Sequence, residues 1–221
     1  LTGKYNLSNS GFGIVAGARQ LTIKRSTLNI NPAQGDLVTT PDSGIGYMAG
    51  VSYERPDIAL KVLLTQSPGI DIVVPTTVVG SGTVSQPSFT TLEFETGIAN
   101  NTLLFGSMHQ GEHASAQVKL NGIGAISSFT DGEKYNIGVG RKFNDSLSGS
   151  ISYTTEAGSS ATGTSLLSPT NGTDTYALGI NYSTETVDIA FGYAMSSFGD
   201  KAVTTAYGTG NFTNNDATTT G

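Results

Sequence analysis

The chain has 221 residues, a formal net charge of −6 and a sequence pI near 4.7, and no basic cluster offsets that balance, which argues against nucleic acid as a partner. Cysteine is absent, which removes disulfides, thiolate metal sites and cysteine nucleophiles, and no apolar run reaches the ~18 residues of a membrane-spanning helix. With 13% charged and 37% hydrophobic residues and 29 glycines beside many Ser, Thr and Asn, the chain is neither a disordered acidic tail nor a helical bundle, so strands remain.

Residues 1–10 are polar and read as an irregular lead-in. A first strand is predicted over 11–24, with Phe12, Ile14, Ala16 and Ala18 opposite Gly13, Gly17 and Arg19; Val15 and Leu21 spoil the alternation. A long connection, 25–43, carries Leu28, Ile30, Leu37 and Val38. The second strand, 44–54, sets Ile45, Tyr47, Ala49, Val51 and Tyr53 against Gly46, Met48, Gly50, Ser52 and Glu54. After a short Arg55-Pro56-Asp57 turn, the third strand opposes Ile58, Leu60, Val62 and Leu64 to Ala59, Lys61, Leu63 and Thr65. Burying Lys61 in a soluble core would be costly, and a water-filled lumen removes that difficulty.

The connection 66–88 is long and apolar, with Ile70, Ile72, Val73, Val74, Val78, Val79 and Val84 broken by Pro68, Pro75 and Pro87. The fourth strand, 89–98, opposes Leu92, Phe94 and Ile98 to Glu93 and Glu95, and the fifth, 102–110, follows a turn at Ala99-Asn100-Asn101. Another long stretch, 111–132, leads to a sixth strand with Tyr135, Ile137 and Val139 opposite Asn136, Gly138, Gly140 and Lys142. Strands seven to nine repeat one design: Leu147, Gly149, Ile151 and Tyr153; then Tyr176, Leu178, Ile180 and Tyr182; then Val187, Ile189, Phe191, Tyr193 and Met195 opposite Asp188, Ala190 and Gly192. Beyond Met195 lies a long loop through Ala202, Val203 and Tyr207, and no final aromatic-rich strand is read before Gly221.

Nine strands result, with short connections near residues 55, 100, 144 and 184 and long ones between them. Strict alternation of tight turns and long loops is the rhythm of an outer-membrane barrel, whereas a β-sandwich gives no reason for it. The fold class read from the chain is therefore all-β, a transmembrane antiparallel up-and-down β-barrel. The whole of 1–221 reads as one domain, a barrel segment truncated at both ends, since nine strands without an end strand cannot close.

Several segments carry a resemblance: Ile58-Ala59-Leu60-Lys61-Val62 with Pro68-Gly69-Ile70-Asp71, Asn101-Thr102-Leu103-Leu104-Phe105-Gly106-Ser107, Ile137 through Asp145, and Ser148 through Tyr153. With Thr173-Asp174-Thr175-Tyr176 and Asn211 through Asp216, the chain from Gly11 onward resembles the FadL-type outer-membrane transporters of long-chain fatty acids and other hydrophobic compounds. The resemblance implies a fourteen-stranded barrel plugged by an N-terminal hatch, of which these strands look like the fifth to the thirteenth. It also implies that the two long apolar connections form a hydrophobic ligand groove on the extracellular side. Asn31-Pro32-Ala33 matches the family's N-terminal tripeptide but sits after a strand, and is read as coincidence. The aromatic girdle would fall to Tyr and Phe, because Trp is absent.

The groove candidates are Leu28, Ile30, Leu37, Val38, Ile70, Ile72, Val74 and Val78, since exposed apolar patches mark binding sites and each buried methylene contributes about 0.8 kcal/mol. The alternative for these residues is that they pack only against each other, as compact loops do. Lys61, Glu93, Glu95, Lys142 and Asp188 are expected to line a wet lumen, with Glu93 and Glu95 near Lys61 or Lys142. His109-Gln110-Gly111-Glu112-His113 fits H-x-x-E-H, but Gly111 interrupts it at a strand end and no third histidine exists, so a solvated loop rim is preferred to a zinc site.

The expectation is passive transport of hydrophobic molecules across a bacterial outer membrane, without a cofactor and without enzymatic activity. Its partners would be a hydrophobic small-molecule ligand and the membrane's own lipid and lipopolysaccharide. The alternatives are a structural or adhesive surface barrel or general porin, a barrel-embedded hydrolase using Glu93, Glu95 and His109, and a secreted β-sandwich adhesin.

Overall fold

The computed structural model describes residues 1–8, 10–31, 35–159, 171–205 and 208–221. In chain order the strands are β1 (Thr2–Asn6), β2 (Phe12–Ile23), β3 (Thr27–Asn31), β4 (Gly35–Val38), β5 (Asp42–Arg55), β6 (Leu60–Ser67), β7 (Ile70–Thr76), β8 (Gly80–Gln86), β9 (Phe89–Ala99) and β10 (Thr102–Gly111). They continue as β11 (Lys119–Leu120), β12 (Gly124–Ala125), β13 (Gly132–Lys142), β14 (Leu147–Glu156), β15 (Thr173–Ser183), β16 (Asp188–Phe198), β17 (Lys201–Thr205), β18 (Gly208–Phe212) and β19 (Asn215–Thr220).

Eleven of these form one antiparallel meander, ordered β1-β2-β5-β6-β9-β10-β13-β14-β15-β16-β19, with β1 and β19 as its two edges. From β9 to β16 each wall strand pairs with its neighbour along nearly its full length, so cross-strand rows can be followed across this part of the sheet. Ile151, Leu178 and Tyr193 share one such row and Ser150, Gly179 and Gly192 the next, on the opposite face. Large side chains on the first face stay open to solvent, among them Ile45, Tyr47, Val51, Leu92, Ile137, Ile151, Tyr176 and Phe191. The second face carries Gly, Ser, Thr and charge, and it is the face on which β7 lies, so it is termed the inner face. A wall that is apolar outside and polar inside inverts the arrangement of a soluble sheet.

Short connections at one end close for local reasons. Arg55 pairs with Asp57 at 2.6 Å around a 3-10 turn (Pro56–Ile58), and Ala59 takes a left-handed conformation at φ 50° to re-enter β6. Asn101 does the same between β9 and β10 at φ 59°, which an asparagine tolerates. Between β13 and β14 the Asn144 carboxamide oxygen accepts from the N–H groups of Ser146 and Leu147, both at 2.9 Å.

Three expectations are corrected. Residues 2–6 form a strand, with Lys4 opposite Val15 and Tyr5 opposite Ile14, because backbone pairing needs no apolar side chain. A strand also follows the last long loop: β19 places Thr218 opposite Met195 and Thr220 opposite Tyr193. Ile58 lies in the turn and β6 begins at Leu60, since the proline at 56 and left-handed Ala59 delay re-entry. The connections 25–43 and 66–88 contain hairpins of their own, β3–β4 and β7–β8, and β17–β18 is a third.

Candidate functional site

The long connections at the other end build a cap. β7 and β8 pair with Ile72 opposite Val84 and Val74 opposite Gly82, and β8 continues through Leu120 of β11 to β12 as a four-stranded sheet. Period-two alternation puts Ile70, Ile72 and Val74 on one side of β7 at 6%, 2% and 2% exposure, while Val73 on the other side is 59% exposed. The buried trio packs with Leu21, Ile23 and Val84. It can approach because the wall opposite is glycine: a Cβ on Gly44 would come within 2.8 Å of Ile70, and one on Gly46 would overlap the same side chain.

The β3–β4 hairpin is stitched to the tip of β7–β8 through Thr77, whose hydroxyl accepts from the Val38 N–H and donates to the Asp36 carbonyl, both at 3.0 Å. Backbone bonds from Thr40 to Pro75 and from Thr77 to Val38 reinforce the join. A third piece, 112–131, is pinned by Gln117. Its amide donates to the carbonyls of His113, Ala114 and Phe129, and its oxygen accepts from the Ser127 hydroxyl and the Phe129 N–H.

Where these three pieces meet, the cap forms a half-open cavity of about 290 Å³. Its apolar wall comes from Ile23, Leu37, Val74, Val84, Val118, Leu120 and Ile126. Of the residues expected in a ligand groove, Leu37 and Val74 line this cavity, and Ile70 and Ile72 form the packed floor beside it. Val38 is half-buried and Val78 is exposed at the hairpin tip. Leu28 pairs with Leu37 through the backbone and Ile30 lies in β3, while the side chains of both, and Pro32 and Ala33, fall outside the described residues. Sequence reasoning missed Ile23, Val118, Leu120 and Ile126; the alternation Val118-x-Leu120 was the available signal, too short to be distinguished from a loop.

The inner face below the cap is charged. Lys61 pairs with Glu95 at 2.5 Å and Lys4 pairs with Glu54, so ammonium and carboxylate groups alternate across the rows of β1, β5, β6 and β9. Together with Glu93, Ser52 and Leu63 these residues border a cavity of about 350 Å³ with mixed polar and apolar walls. The strand register also puts Lys142 and Asp188 on the inner face, opposite Ser148 and Ser183. Lys142 reaches the turn residue Asp145 at 2.8 Å rather than either glutamate, and Asp188 accepts from the Ser183 hydroxyl. A second inner cavity of about 690 Å³ lies against the small residues Gly97, Gly140, Ser150 and Gly179.

Arg19 stands between cap and lumen. Its guanidinium donates to Ser67 at 2.8 Å and lies 5.9 Å from the centre of the Phe89 ring, and its Nε has no partner among the described residues. The two histidines flank the same ring, His109 at 4.7 Å and His113 at 5.8 Å between centroids, with His109 Nδ1 2.8 Å from the Thr91 hydroxyl. Phe89 thus organises them as aromatic neighbours, and among the described residues no three His, Cys, Asp or Glu side chains converge as metal ligands.

No family model matches the chain, and no curated protein matches it either. Solved structures do. A Pseudomonas aeruginosa FadL homologue superposes with a TM-score of 0.67 at 12% identity, over 90% of this chain and 59% of that one. The CymD monoaromatic hydrocarbon channel gives 0.56 at 12% identity, over 89% and 67%, and the Pseudomonas putida toluene transporter TodX gives 0.53 at 12%, over 91% and 63%. The chain has the FadL-type barrel fold and spans 59% to 67% of the length of these structures.

Proposed function

We propose that this chain forms wall and cap of a passive outer-membrane channel for hydrophobic compounds, long-chain fatty acids among them. One arrangement carries the reading: a half-open apolar cavity of about 290 Å³ sits in the cap of a wall whose large apolar side chains face outward. The outer belt would meet hydrocarbon, with lipopolysaccharide around the cap end, and the polar inner face would meet water. An apolar cavity of ~150 Å³ already takes up benzene, so the cap cavity holds a compact hydrophobe or one end of an acyl chain. Each methylene transferred from water contributes about 0.8 kcal/mol, which suffices for capture without an energy source or a cofactor.

Arg19 supports the fatty-acid part of the reading. Arg19, Leu21 and Ile23 are successive inner-face positions on β2, so the backbone of Arg19 lies four residues, about 13 Å, from that of the cavity-lining Ile23. The packed Ile70 and Ile72 lie between them, so it is from the lumen side that a carboxylate could reach this guanidinium, which has no carboxylate partner among the described residues. A general porin is the second reading, favoured by the Lys61–Glu95 and Lys4–Glu54 pairs on the inner face.

The test is uptake by cells carrying the complete protein, measured for radiolabelled oleate and toluene and, in parallel, for a small sugar. Leu37→Asp with Val74→Asp should reduce hydrophobe uptake about tenfold or more while the barrel still folds, since each places a carboxylate in an apolar wall. Unchanged hydrophobe uptake with free passage of the sugar would replace the channel reading by the porin.

A further inference from the structure

Among the residues lining the cap cavity, one has a buried polar atom without a hydrogen-bond partner among the described residues. Along β7 the buried side reads Ile70, Ile72, Val74 and then Thr76, where a fourth aliphatic side chain would continue the pattern. The Thr76 hydroxyl oxygen is closed off from solvent and has no hydrogen-bond partner among the described residues, and Thr76 lines the cavity. Two neighbouring hydroxyls are in use: Thr77 makes two bonds to the β3–β4 hairpin, and Thr39 accepts from the Ser26 N–H at 2.9 Å. Gln86 has the other unpartnered polar atom of this cap face, but it sits opposite Ile70 at the far end of β8, away from the cavity. Valine has the shape of threonine without this penalty, so an unpaired buried hydroxyl here is a cost that packing alone does not explain.

The geometry lets a ligand recover that cost. The Thr76 methyl points toward Gly82, lying 3.7 Å from where a Cβ on that glycine would be, and Gly82 also lines the cavity. One rotamer step about Cα–Cβ brings the hydroxyl to where the methyl stood and sends the methyl to the place of the Cβ hydrogen, and threonine populates more than one such rotamer. In the resting rotamer the wall is a methyl surface; in the alternative it presents one donor and acceptor to whatever fills the space.

We propose that the cap cavity prefers compact hydrophobic molecules carrying one hydrogen-bonding oxygen, such as phenols, aromatic alcohols or ketones, over hydrocarbons of the same size, and that Thr76 makes the distinction. This rests on the reading of the cavity as a ligand site given above. It goes beyond that reading in naming the polar atom the ligand must bring, because an apolar cavity discriminates weakly between isosteres whereas an unpaired buried group discriminates strongly.

The test compares two probes of nearly equal shape, 4-cresol and para-xylene, by equilibrium dialysis against the complete protein in detergent micelles, with protein-free micelles subtracted. The quantity read is the ratio of the xylene to the cresol dissociation constant. Thr76→Val should lower that ratio about tenfold, by weakening cresol and strengthening xylene, whereas Thr76→Ser keeps the hydroxyl and should leave the ratio near that of the parent. A ratio unchanged by Thr76→Val while both probes bind overturns the role of Thr76 and leaves the channel reading standing. A parent protein that binds xylene as tightly as cresol overturns the preference alone, and failure of both probes to bind the parent overturns both readings.

Discussion

Single positions decide whether cap and wall fit together. Gly46 faces Ile70 so closely that any Cβ there would occupy the space of a side chain that is itself 6% exposed and cannot swing away. Gly46→Val should therefore lift β7 off the wall, seen as new protease cleavage within 66–88, while the eleven-stranded sheet survives. Ala59 offers the opposite case: at φ 50° it holds a left-handed conformation costing an alanine roughly 1–2 kcal/mol. Ala59→Gly should raise stability by about 0.5–1 kcal/mol in a urea titration once the glycine's greater unfolded-state freedom is subtracted. The exposed turn carboxylates respond to pH in one direction. The Lys142 ammonium bonded to Asp145, and the Arg55 guanidinium bonded to Asp57, hold both carboxyls below the ordinary aspartate value. A folded pKa below the unfolded one gives stability that is present above the unfolded value and lost as pH falls through the folded one. Acid should thus weaken these turns, and Asp145→Asn should remove its share of the acid dependence; an acid limb of the same slope in the variant would exclude the pair.

Elements built on a strict period of two were legible in the sequence, and those whose inner face is covered were not. β14, β15 and β16 alternate through their middles because one side is open and carries large apolar residues while the other carries small or polar ones. In β2 the alternation fails at Val15 and Leu21, and both are inner-face residues: Leu21 packs under the cap cluster, and Val15 is buried across the strand pair from Lys4. A covered inner face becomes apolar too, and the pattern that signals a strand disappears. β1 and β19 escaped notice for a different reason, since Thr, Gly and Asn at those edges carry little apolar signal although their backbones pair fully. The cap sheet reads as loop because prolines and glycines interrupt it, and β11 has only two residues. Its stability rests instead on side-chain bonds, so Gln117→Leu, which deletes five of them, should release 112–131 and with it the Val118, Leu120 and Ile126 wall of the cavity. At roughly 1 kcal/mol per bond, amide exchange at Val118 and Ile126 should accelerate by two orders of magnitude or more, with exchange in β14 unchanged.

At the scale of the whole molecule, function follows from which solvent meets each face, and two adjacent residues can report it. Ile151 and Ser150 occupy neighbouring positions in the middle of β14, in rows that run to Phe191's face on one side and to Gly179 and Gly192 on the other. Ile151 is 63% exposed, which in water would be a wasted apolar side chain and in hydrocarbon is the belt that holds the sheet in place. Ser150 borders the 690 Å³ inner cavity, where a long polar side chain has room and water. Introducing arginine at each site separates the two environments without altering the strand register, because the backbone bonds on both sides are the same. Ile151→Arg should destabilise the protein in lipid vesicles by about 2–4 kcal/mol, whereas Ser150→Arg should cost under ~1 kcal/mol. The measurement is reversible urea unfolding in vesicles followed by tyrosine fluorescence. Equal costs at the two sites would mean that both faces meet the same solvent, which is the property of a soluble sheet and not of a channel wall.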